Sequence, residues 1–139
     1  MLVKEIMIRK IITIDVEDTV LTACDKYRDF KVGSLLVIDN GVCVGIVTER
    51  DLIERIICMH RDPEKTKVRE IMSSNIVTVH ALDSIEKALE KMKENRIKKL
   101  PVISDNKTVG VVTITDISNA KPELSRRFIE SWVKPRWED

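Results

Sequence analysis

Residues 44–48 read Val-Gly-Ile-Val-Thr, and residues 109–113 read Val-Gly-Val-Val-Thr. The similarity extends outward from these two stretches, so that residues 3–52 and 68–117 align without a gap. Self-similarity of this kind indicates one supersecondary unit that is present twice. Three other segments recur in the same order: Val3-Lys-Glu-Ile-Met7 with Val68-Arg-Glu-Ile-Met72, Ile11-Ile-Thr-Ile14 with Ile76-Val-Thr-Val79, and Leu35-Leu-Val-Ile38 with Leu100-Pro-Val-Ile103.

Both copies predict the same order of elements, β-α-β-β-α. Each begins with a β-branched strand, near 11–14 or 76–79, and continues with an amphipathic helix. Asp18 and Asp83 are placed to cap these helices, and Glu86 could complete a capping box with Asp83. Two apolar strands follow in each copy, at 34–38 and 43–47 and again at 99–103 and 108–112.

The predicted turns and second helices complete each copy. Asp39-Asn40-Gly41 and Asp105-Asn106-Lys107 have the residue types of hairpin turns. A helix is expected to begin after Thr48, with a broad apolar stripe made of Leu52, Ile53, Ile56 and Ile57.

The polar stretch 61–67 is the natural connection between the copies. The predicted organisation is a first repeat over 1–60, a linker over 61–67, a second repeat over 68–120 and a helical extension over 121–139. A unit of about 50 residues buries too little surface alone, so the repeats are expected to pack on each other with a pseudo-twofold relation.

Composition excludes several classes of protein. The chain has 139 residues, 43% of them hydrophobic, and its 24 Lys and Arg against 23 Asp and Glu leave a net charge of +1. No overall field therefore favours nucleic acid or a membrane surface. Cys24, Cys43 and Cys58 are widely spaced, which favours isolated thiols over a zinc site or a disulfide framework. The absence of a leader or a long apolar run predicts a soluble cytoplasmic protein.

A hydroxyl and a carboxylate stand at the same spacing in both copies. The stretch Gly45-Ile-Val-Thr-Glu-Arg-Asp51 recurs as Gly110-Val-Val-Thr-Ile-Thr-Asp116. At the start of a helix, the carboxylate could accept hydrogen bonds from ribose hydroxyls, while the Thr hydroxyl and the helix N–H groups face a phosphate. The same Thr-x-x-Asp spacing is also an ordinary helix cap, and the pattern alone leaves both interpretations open.

The repeated elements, the Val-x-Glu-Ile-Met start, the Leu-Pro-Val strand and the Gly-x-x-Thr-x-x-Asp end together resemble a pair of cystathionine-β-synthase (CBS) domains, a Bateman module. The resemblance covers residues 3 to about 120. It implies an α+β fold of two packed β-α-β-β-α repeats, to which this chain adds a C-terminal helix. It also implies two nucleotide clefts, each built from both repeats.

The resemblance also implies which residues bind the nucleotide. For the first cleft they are Thr48, Arg50, Asp51, Met72, Val77, Lys98 and Lys99. For the second cleft they are Thr113, Thr115, Asp116, Met7 and Ile12. The apolar members of both sets could instead be ordinary core, and the lysines solvated surface. Because the basic residues are not duplicated, the two clefts are not expected to be equivalent.

The sequence favours a regulatory module that binds an adenosine-containing ligand, such as AMP, ADP, ATP or S-adenosylmethionine, and needs no cofactor. No nucleophile with its base, no glycine-rich phosphate loop and no metal cluster indicates an enzyme. A scaffold that only dimerises or docks and a nucleic-acid-binding CBS protein are the alternatives. The stripe on the second helix predicts a homodimer, and the protein target is unknown. The extension is expected to cover the module's own core, and in the alternative interpretation Trp132 and Trp137 anchor a subunit or partner contact.

Overall fold

The computed structural model describes residues 1–124 and residue 126. The chain divides into two compact units, one formed by Ile12–Ile76 and the other by Met1–Ile11 together with the chain from Val77 onward. The helices and strands in chain order are α1 (Val3–Ile6), β1 (Thr13–Asp15), α2 (Val20–Phe30), β2 (Ser34–Asp39), β3 (Val42–Thr48), α3 (Glu49–Leu52), β4 (Val79–His80), α4 (Ile85–Asn95), β5 (Lys99–Ser104), β6 (Lys107–Thr113) and α5 (Ile114–Ala120). A π-helix, Ile53–Ile57, follows α3 directly, and Val68–Glu70 forms a 3₁₀-helix.

Each unit contains one three-stranded sheet, in the order β1-β2-β3 or β4-β5-β6. The first strand is parallel to the second, and the second and third form an antiparallel hairpin. The predicted α+β fold of two repeats is confirmed. Of the predicted extension, residues 122–124 and 126 are helical. The predicted apolar face with Trp132 lies outside the described residues, as does Trp137.

Two-residue turns close both hairpins. Asn40 and Gly41 have φ of 51° and 83°, and Asp105 and Asn106 have φ of 51° and 61°. Positive φ at both central positions suits the right-handed twist of the flanking strands, and Asn, Asp and Gly reach it at little cost. The predicted turns are therefore present, although Lys107 already belongs to β6.

Each sheet packs one face on a helix to make a core. In the unit formed by residues 12–76, the fully buried side chains include Val20, Leu35 and Val47. In the other unit they include Ile85, Leu100 and Ile117, although Ile85 lies outside the main cluster. Burying each such aliphatic side chain contributes about 1.5–3 kcal/mol to folding.

The two leading segments, residues 1–11 and 68–76, exchange places between the repeats. The Val3 amide donates to the Asp83 carbonyl at 2.8 Å, and the Val68 amide donates to the Asp18 carbonyl at 2.8 Å. Val3 and Val68 are fully buried in the cores of the repeats that they do not belong to in sequence. The compact units therefore differ from the sequence repeats over 1–60 and 68–120.

The helix caps lie one residue later than predicted. Thr19 accepts from the Thr22 amide, and Ser84 accepts from the Lys87 amide, so these hydroxyls cap α2 and α4. The carboxylates of Asp18 and Asp83 instead accept from the amides of the residues three positions earlier. Each aspartate thus closes the turn that follows its strand, and the prediction that Asp18 and Asp83 are the caps is wrong. The capping box of Glu86 with Asp83 is therefore also wrong.

The predicted apolar stripe divides into a buried pair and an exposed pair. Ile56 is buried and Leu52 is half-buried, whereas Ile53 and Ile57 are 53% and 67% exposed. The members of each pair are four residues apart and share a helical face, and the face of Ile53 and Ile57 is turned to solvent. The first strands are also shorter than predicted, since β1 and β4 start at Thr13 and Val79.

The close approach of Gly45 to the second leading segment predicts a large effect of a single methyl group. A Cβ atom at Gly45 would lie 2.7 Å from the Met72 Sδ and 2.9 Å from the Ser73 carbonyl oxygen. Because the backbone must move, we expect Gly45→Ala to lower the free energy of unfolding by about 1–3 kcal/mol, measured by urea denaturation. Gly33→Ala is the control, since its Cβ would come no closer than 3.9 Å to another group. Equal stability of the two variants would contradict this reading of the contact.

Candidate functional site

The end of β3 and the start of α3 bring Thr48 and Asp51 into direct contact. The Asp51 Oδ2 accepts from the Thr48 amide at 2.9 Å and lies 3.2 Å from its hydroxyl. The Asp51 amide in turn donates to the Thr48 Oγ1 at 3.3 Å. This is a capping box in which each side chain accepts from the other residue's amide. Asp51 is only 8% exposed, although it is an acidic residue.

Thr113 and Asp116 repeat this arrangement in the other unit. The Asp116 Oδ2 accepts from the Thr113 amide at 2.8 Å, and the Asp116 amide donates to the Thr113 Oγ1 at 3.2 Å. Both pairs therefore cap their helices, which was one of the two interpretations of the spacing. The duplicated cap leaves a carboxylate at the end of each hairpin.

Arg55 distinguishes the first pair from the second. Its Nε lies 3.8 Å from the Asp51 Oδ1, and its Nη1 donates to the carbonyls of Ile71 and Met72 at 2.8 and 3.3 Å. Ala120 stands at the equivalent position of the second repeat. Sequence reasoning missed Arg55, although its spacing of four residues from Asp51 on a helix is a signal for an ion pair.

Tyr27 is a second residue that sequence reasoning did not connect with the site. Its hydroxyl donates to the carbonyl of Val47, the residue before Thr48. Burial raises the pKa of the Tyr27 phenol, and the nearby Asp51 carboxylate raises it further. The second repeat has Met92 at the equivalent position, so this hydrogen bond is specific to the first repeat.

The four apolar residues assigned to the clefts differ in the unit to which they belong. Met72 contacts Gly45 of β3, and Met7 contacts Gly110 of β6. Each methionine thus lies in the same unit as the Thr-Asp pair to which it was assigned. Val77 and Ile12 instead pack against the core of the unit that does not contain their assigned pair. Their roles in the clefts stay predictions.

The remaining predicted residues lie at the ends of the hairpins. Lys99 is the strand partner of Thr113, and the Lys98 carbonyl accepts from the Ile114 amide at 2.9 Å. Both lysines thus lie beside the second Thr-Asp pair, and their assignment to the first cleft stays a prediction. The Arg50 Nε is 2.9 Å from the Glu54 Oε1, and Thr115 is exposed.

The residues that the structure describes, 1–124 and 126, lack two other kinds of feature. Among these residues, no group of three or more His, Cys, Asp and Glu side chains could hold a metal ion. Within the same residues, no helix combines the length and the apolar character that crossing a membrane requires.

Comparison with known proteins identifies the family of this chain. The family described as CBS domain matches twice, over residues 3–58 and 68–123. The chain is 31% identical over 116 residues to the CBS domain-containing protein YhcV of Bacillus subtilis, which covers 84% of this chain and 82% of that protein. The protein therefore belongs to the CBS-domain family and contains two such domains in tandem. Tandem CBS domains are generally regulatory modules that bind ligands.

Two further similarities show the contexts in which this fold occurs. The crystal structure of Hypoxic Response Protein I with two coordinated zinc ions has a TM-score of 0.78 and 28% identity, covering 86% of this chain and 98% of that one. Inosine-5'-monophosphate dehydrogenase of Methanocaldococcus jannaschii is 33% identical over 126 residues. That match covers 88% of this chain but only 24% of the enzyme.

The raised pKa of Tyr27 predicts a specific dependence of stability on pH. The folded phenol holds its proton more tightly than the unfolded one, whose pKa is about 10. The stabilisation from this group is therefore complete below pH of about 10 and is lost as the pH rises above it. We expect Tyr27→Phe to cost about 0.5–1.5 kcal/mol at neutral pH, because the hydrogen bond to Val47 is lost.

The free energies of unfolding of the unmodified protein and of Tyr27→Phe should become more alike above pH of about 10. Urea denaturation at each pH measures both. Tyr27 is the only tyrosine in the chain, so this difference isolates one phenol. A difference that stays constant up to pH of about 12 would show that the phenol does not titrate in this way.

Proposed function

We propose that this protein is a regulatory module that binds adenosine-containing nucleotides at the ends of its two hairpins. The supporting observation is the duplicated Thr-x-x-Asp cap, which puts a carboxylate beside a helix start in each unit. Met72 and Met7 come from the other repeat and lie against Gly45 and Gly110, three residues before Thr48 and Thr113. A carboxylate for ribose and an apolar contact for a base are complementary to an adenosine.

Capping and ribose binding are compatible uses of the same carboxylate. A carboxylate has two oxygens with about four acceptor positions in total. The Asp51 Oδ2 contacts both the amide and the hydroxyl of Thr48, whereas its Oδ1 faces only the more distant Arg55. Oδ1 therefore keeps acceptor capacity for a sugar hydroxyl. The cap then serves to hold the carboxylate in one orientation.

Besides their predicted place in the first cleft, we propose a second role for Lys98 and Lys99, which is contact with the phosphate of a ligand at the Thr113 end. Their strand begins where β6 ends, so their backbone lies beside Thr113 and the first residue of α5. A phosphate at a helix start is favoured by the N–H groups there, and lysine adds a mobile point charge. AMP, ADP, ATP and S-adenosylmethionine all contain the adenosine on which the proposal depends.

The module is proposed to regulate a partner protein and to have no catalytic activity of its own. The Thr-Asp pairs of both ends form helix caps, and Arg55 adds an ion pair to the first. A cytoplasmic location stays a prediction.

We further propose that the module forms a homodimer through the π-helix. An apolar patch formed by Ile53, Ile57 and Met59 is more than half exposed, with Met59 at 65%. Ile53 and Ile57 lie on the π-helix and Met59 in the turn that follows it, and exposed apolar side chains so close in sequence favour a protein contact over a free surface. A second copy can present the same patch about a twofold axis, which makes the interface self-complementary.

The nucleotide proposal is tested by measuring binding and stability on the same samples. We expect AMP, ADP, ATP or S-adenosylmethionine to raise the melting temperature, since ligand at about 100 times its Kd adds about 2.7 kcal/mol of stability. Asp51→Ala and Asp116→Ala should each weaken binding at their own end about tenfold to hundredfold, measured by calorimetry. Both variants should also lose about 0.5–2 kcal/mol of stability, because each carboxylate belongs to a capping box.

Thr19→Ala is the matched control, because it removes the cap of α2 in the unit that holds Asp51. It should lower stability by a similar amount and leave the affinity unchanged. No stabilisation by any of these four ligands would favour the scaffold alternative. Unchanged affinity in both aspartate variants would remove the ribose assignment.

The dimer is tested by placing a charge in the exposed patch. Ile57→Glu should weaken self-association at least about tenfold, since a buried charge without a partner costs several kcal/mol. Light scattering should then shift toward the monomer mass of 16.0 kDa. Val42→Glu is the control, because Val42 is exposed at the opposite end of β3, about 20 Å along the strand. A wild-type protein that is monomeric at micromolar concentration would rule out the dimer.

A further inference from the structure

We propose that Arg55 is a positioning residue that makes the Thr48 end selective for ribose over deoxyribose, and that the Thr113 end lacks this selectivity. The inference rests on the proposed nucleotide function and adds a difference between the two ends. It requires that Arg55 act through Asp51 and the second leading segment rather than by contacting the ligand.

One rigid group links three atoms that belong to different parts of the chain. The Arg55 guanidinium pairs with the Asp51 Oδ1 through Nε and donates to the carbonyls of Ile71 and Met72 through Nη1. Guanidinium is planar and holds its donors in a fixed fork, so these contacts restrict each other. The position of the carboxylate is thereby tied to that of the segment that carries Met72.

The burial of Asp51 makes the pairing important. Its side chain is 12% exposed, and that of Arg55 is 48% exposed. A carboxylate that is largely removed from water is costly unless it is hydrogen-bonded or paired. Arg55 supplies the positive charge next to the Oδ1, and Thr48 supplies the donors to the Oδ2.

The helix around Arg55 has an unusual geometry that is absent from the second repeat. The Cys58 amide donates to the Ile53 carbonyl at 2.9 Å, and the Arg61 amide donates to the Ile56 carbonyl at 3.0 Å. These bonds span five residues, as in a π-helix, a form that occurs mostly as single turns and often at functional sites. The corresponding helix of the second repeat, α5, is a regular α-helix.

The second repeat provides the natural comparison. Ala120 replaces Arg55, and among the described residues the Asp116 carboxylate contacts Thr113. Within that part of the chain, Asp116 has its cap but no link to the first leading segment. A carboxylate that is held on both oxygens loses less freedom when it binds vicinal hydroxyls than one held on one oxygen. The Thr48 end should accordingly discriminate more strongly against a missing 2′-hydroxyl.

The experiment compares AMP with 2′-deoxy-AMP in calorimetry, using the Asp116→Ala protein so that the Thr48 end alone reports. With Arg55 present, 2′-deoxy-AMP loses one hydrogen bond to a carboxylate, so the ratio of its Kd to that of AMP should be about ten or more. In Arg55→Gln this ratio of dissociation constants should fall to below about three. Arg28→Gln is the control, since Arg28 is an exposed arginine that pairs with Asp25 and Asp29, far in sequence from Asp51. It should keep the full ratio.

A measurement without ligand tests the link to the leading segment directly. The Ser73 amide donates to the Ile46 carbonyl at 2.9 Å. Its hydrogen exchange should be about tenfold faster in Arg55→Gln, because the neighbouring carbonyls are released, and unchanged in Arg28→Gln. If Arg55→Gln does not fold, Arg55→Lys keeps the charge but not the fork, and should give an intermediate ratio and exchange rate.

The possible results separate the two proposals. The role of Arg55 would be overturned if a folded Arg55 variant kept the wild-type ratio of the 2′-deoxy-AMP and AMP dissociation constants and the wild-type exchange rate of the Ser73 amide. The nucleotide function would then still stand. Failure of the unmodified protein to bind AMP, ADP, ATP and S-adenosylmethionine would overturn the nucleotide function and with it the ribose selectivity. In that case, the exchange rate would still decide whether Arg55 holds the leading segment.

Discussion

Each repeat needs the leading segment of the other to complete its core, and the rest of the structure depends on this exchange. Val3 and Val68 are fully buried among residues of the opposite repeat, and backbone hydrogen bonds hold both segments there. A unit of about 50 residues with three short strands has too little apolar surface to be stable alone. Because of the exchange, each core contains residues of both repeats, and the sequence repeat is therefore not the packing unit.

The exchange also determines what lies beside each Thr-Asp pair. Because the leading segment passes over the hairpin of the other repeat, Met72 approaches β3 and Met7 approaches β6. Only glycine leaves room for this approach, so Gly45 and Gly110 are required by packing rather than by their own backbone angles. A candidate site that combines residues from both repeats thus follows from how the two cores are completed.

The hairpins and the candidate carboxylates could be predicted from sequence because they depend on local chemistry. Asn40 and Gly41 favour positive φ by themselves, and Thr48 and Asp51 interact within one turn of the chain. The cap of α2 lies one residue later than predicted, because Asp18 and Thr19 are both suitable caps. The Asp18 carboxylate accepts a hydrogen bond in the turn after β1, and Thr19 caps the helix. The π-helix and the contacts of Arg55 depend on packing between segments that are distant in sequence, which no local pattern records.

The two Thr-Asp pairs have the same cap and different surroundings, and the charges are distributed accordingly. The first has Arg55 beside its carboxylate and a tyrosine that holds the strand end through the Val47 carbonyl. The second has Ala120 and Met92 at those positions and instead begins its hairpin with Lys98 and Lys99. A positive charge next to the carboxylate fixes an acceptor, whereas positive charge at the strand start favours an anion. The same capping arrangement therefore occurs twice, and the charged residues around it differ between the two ends.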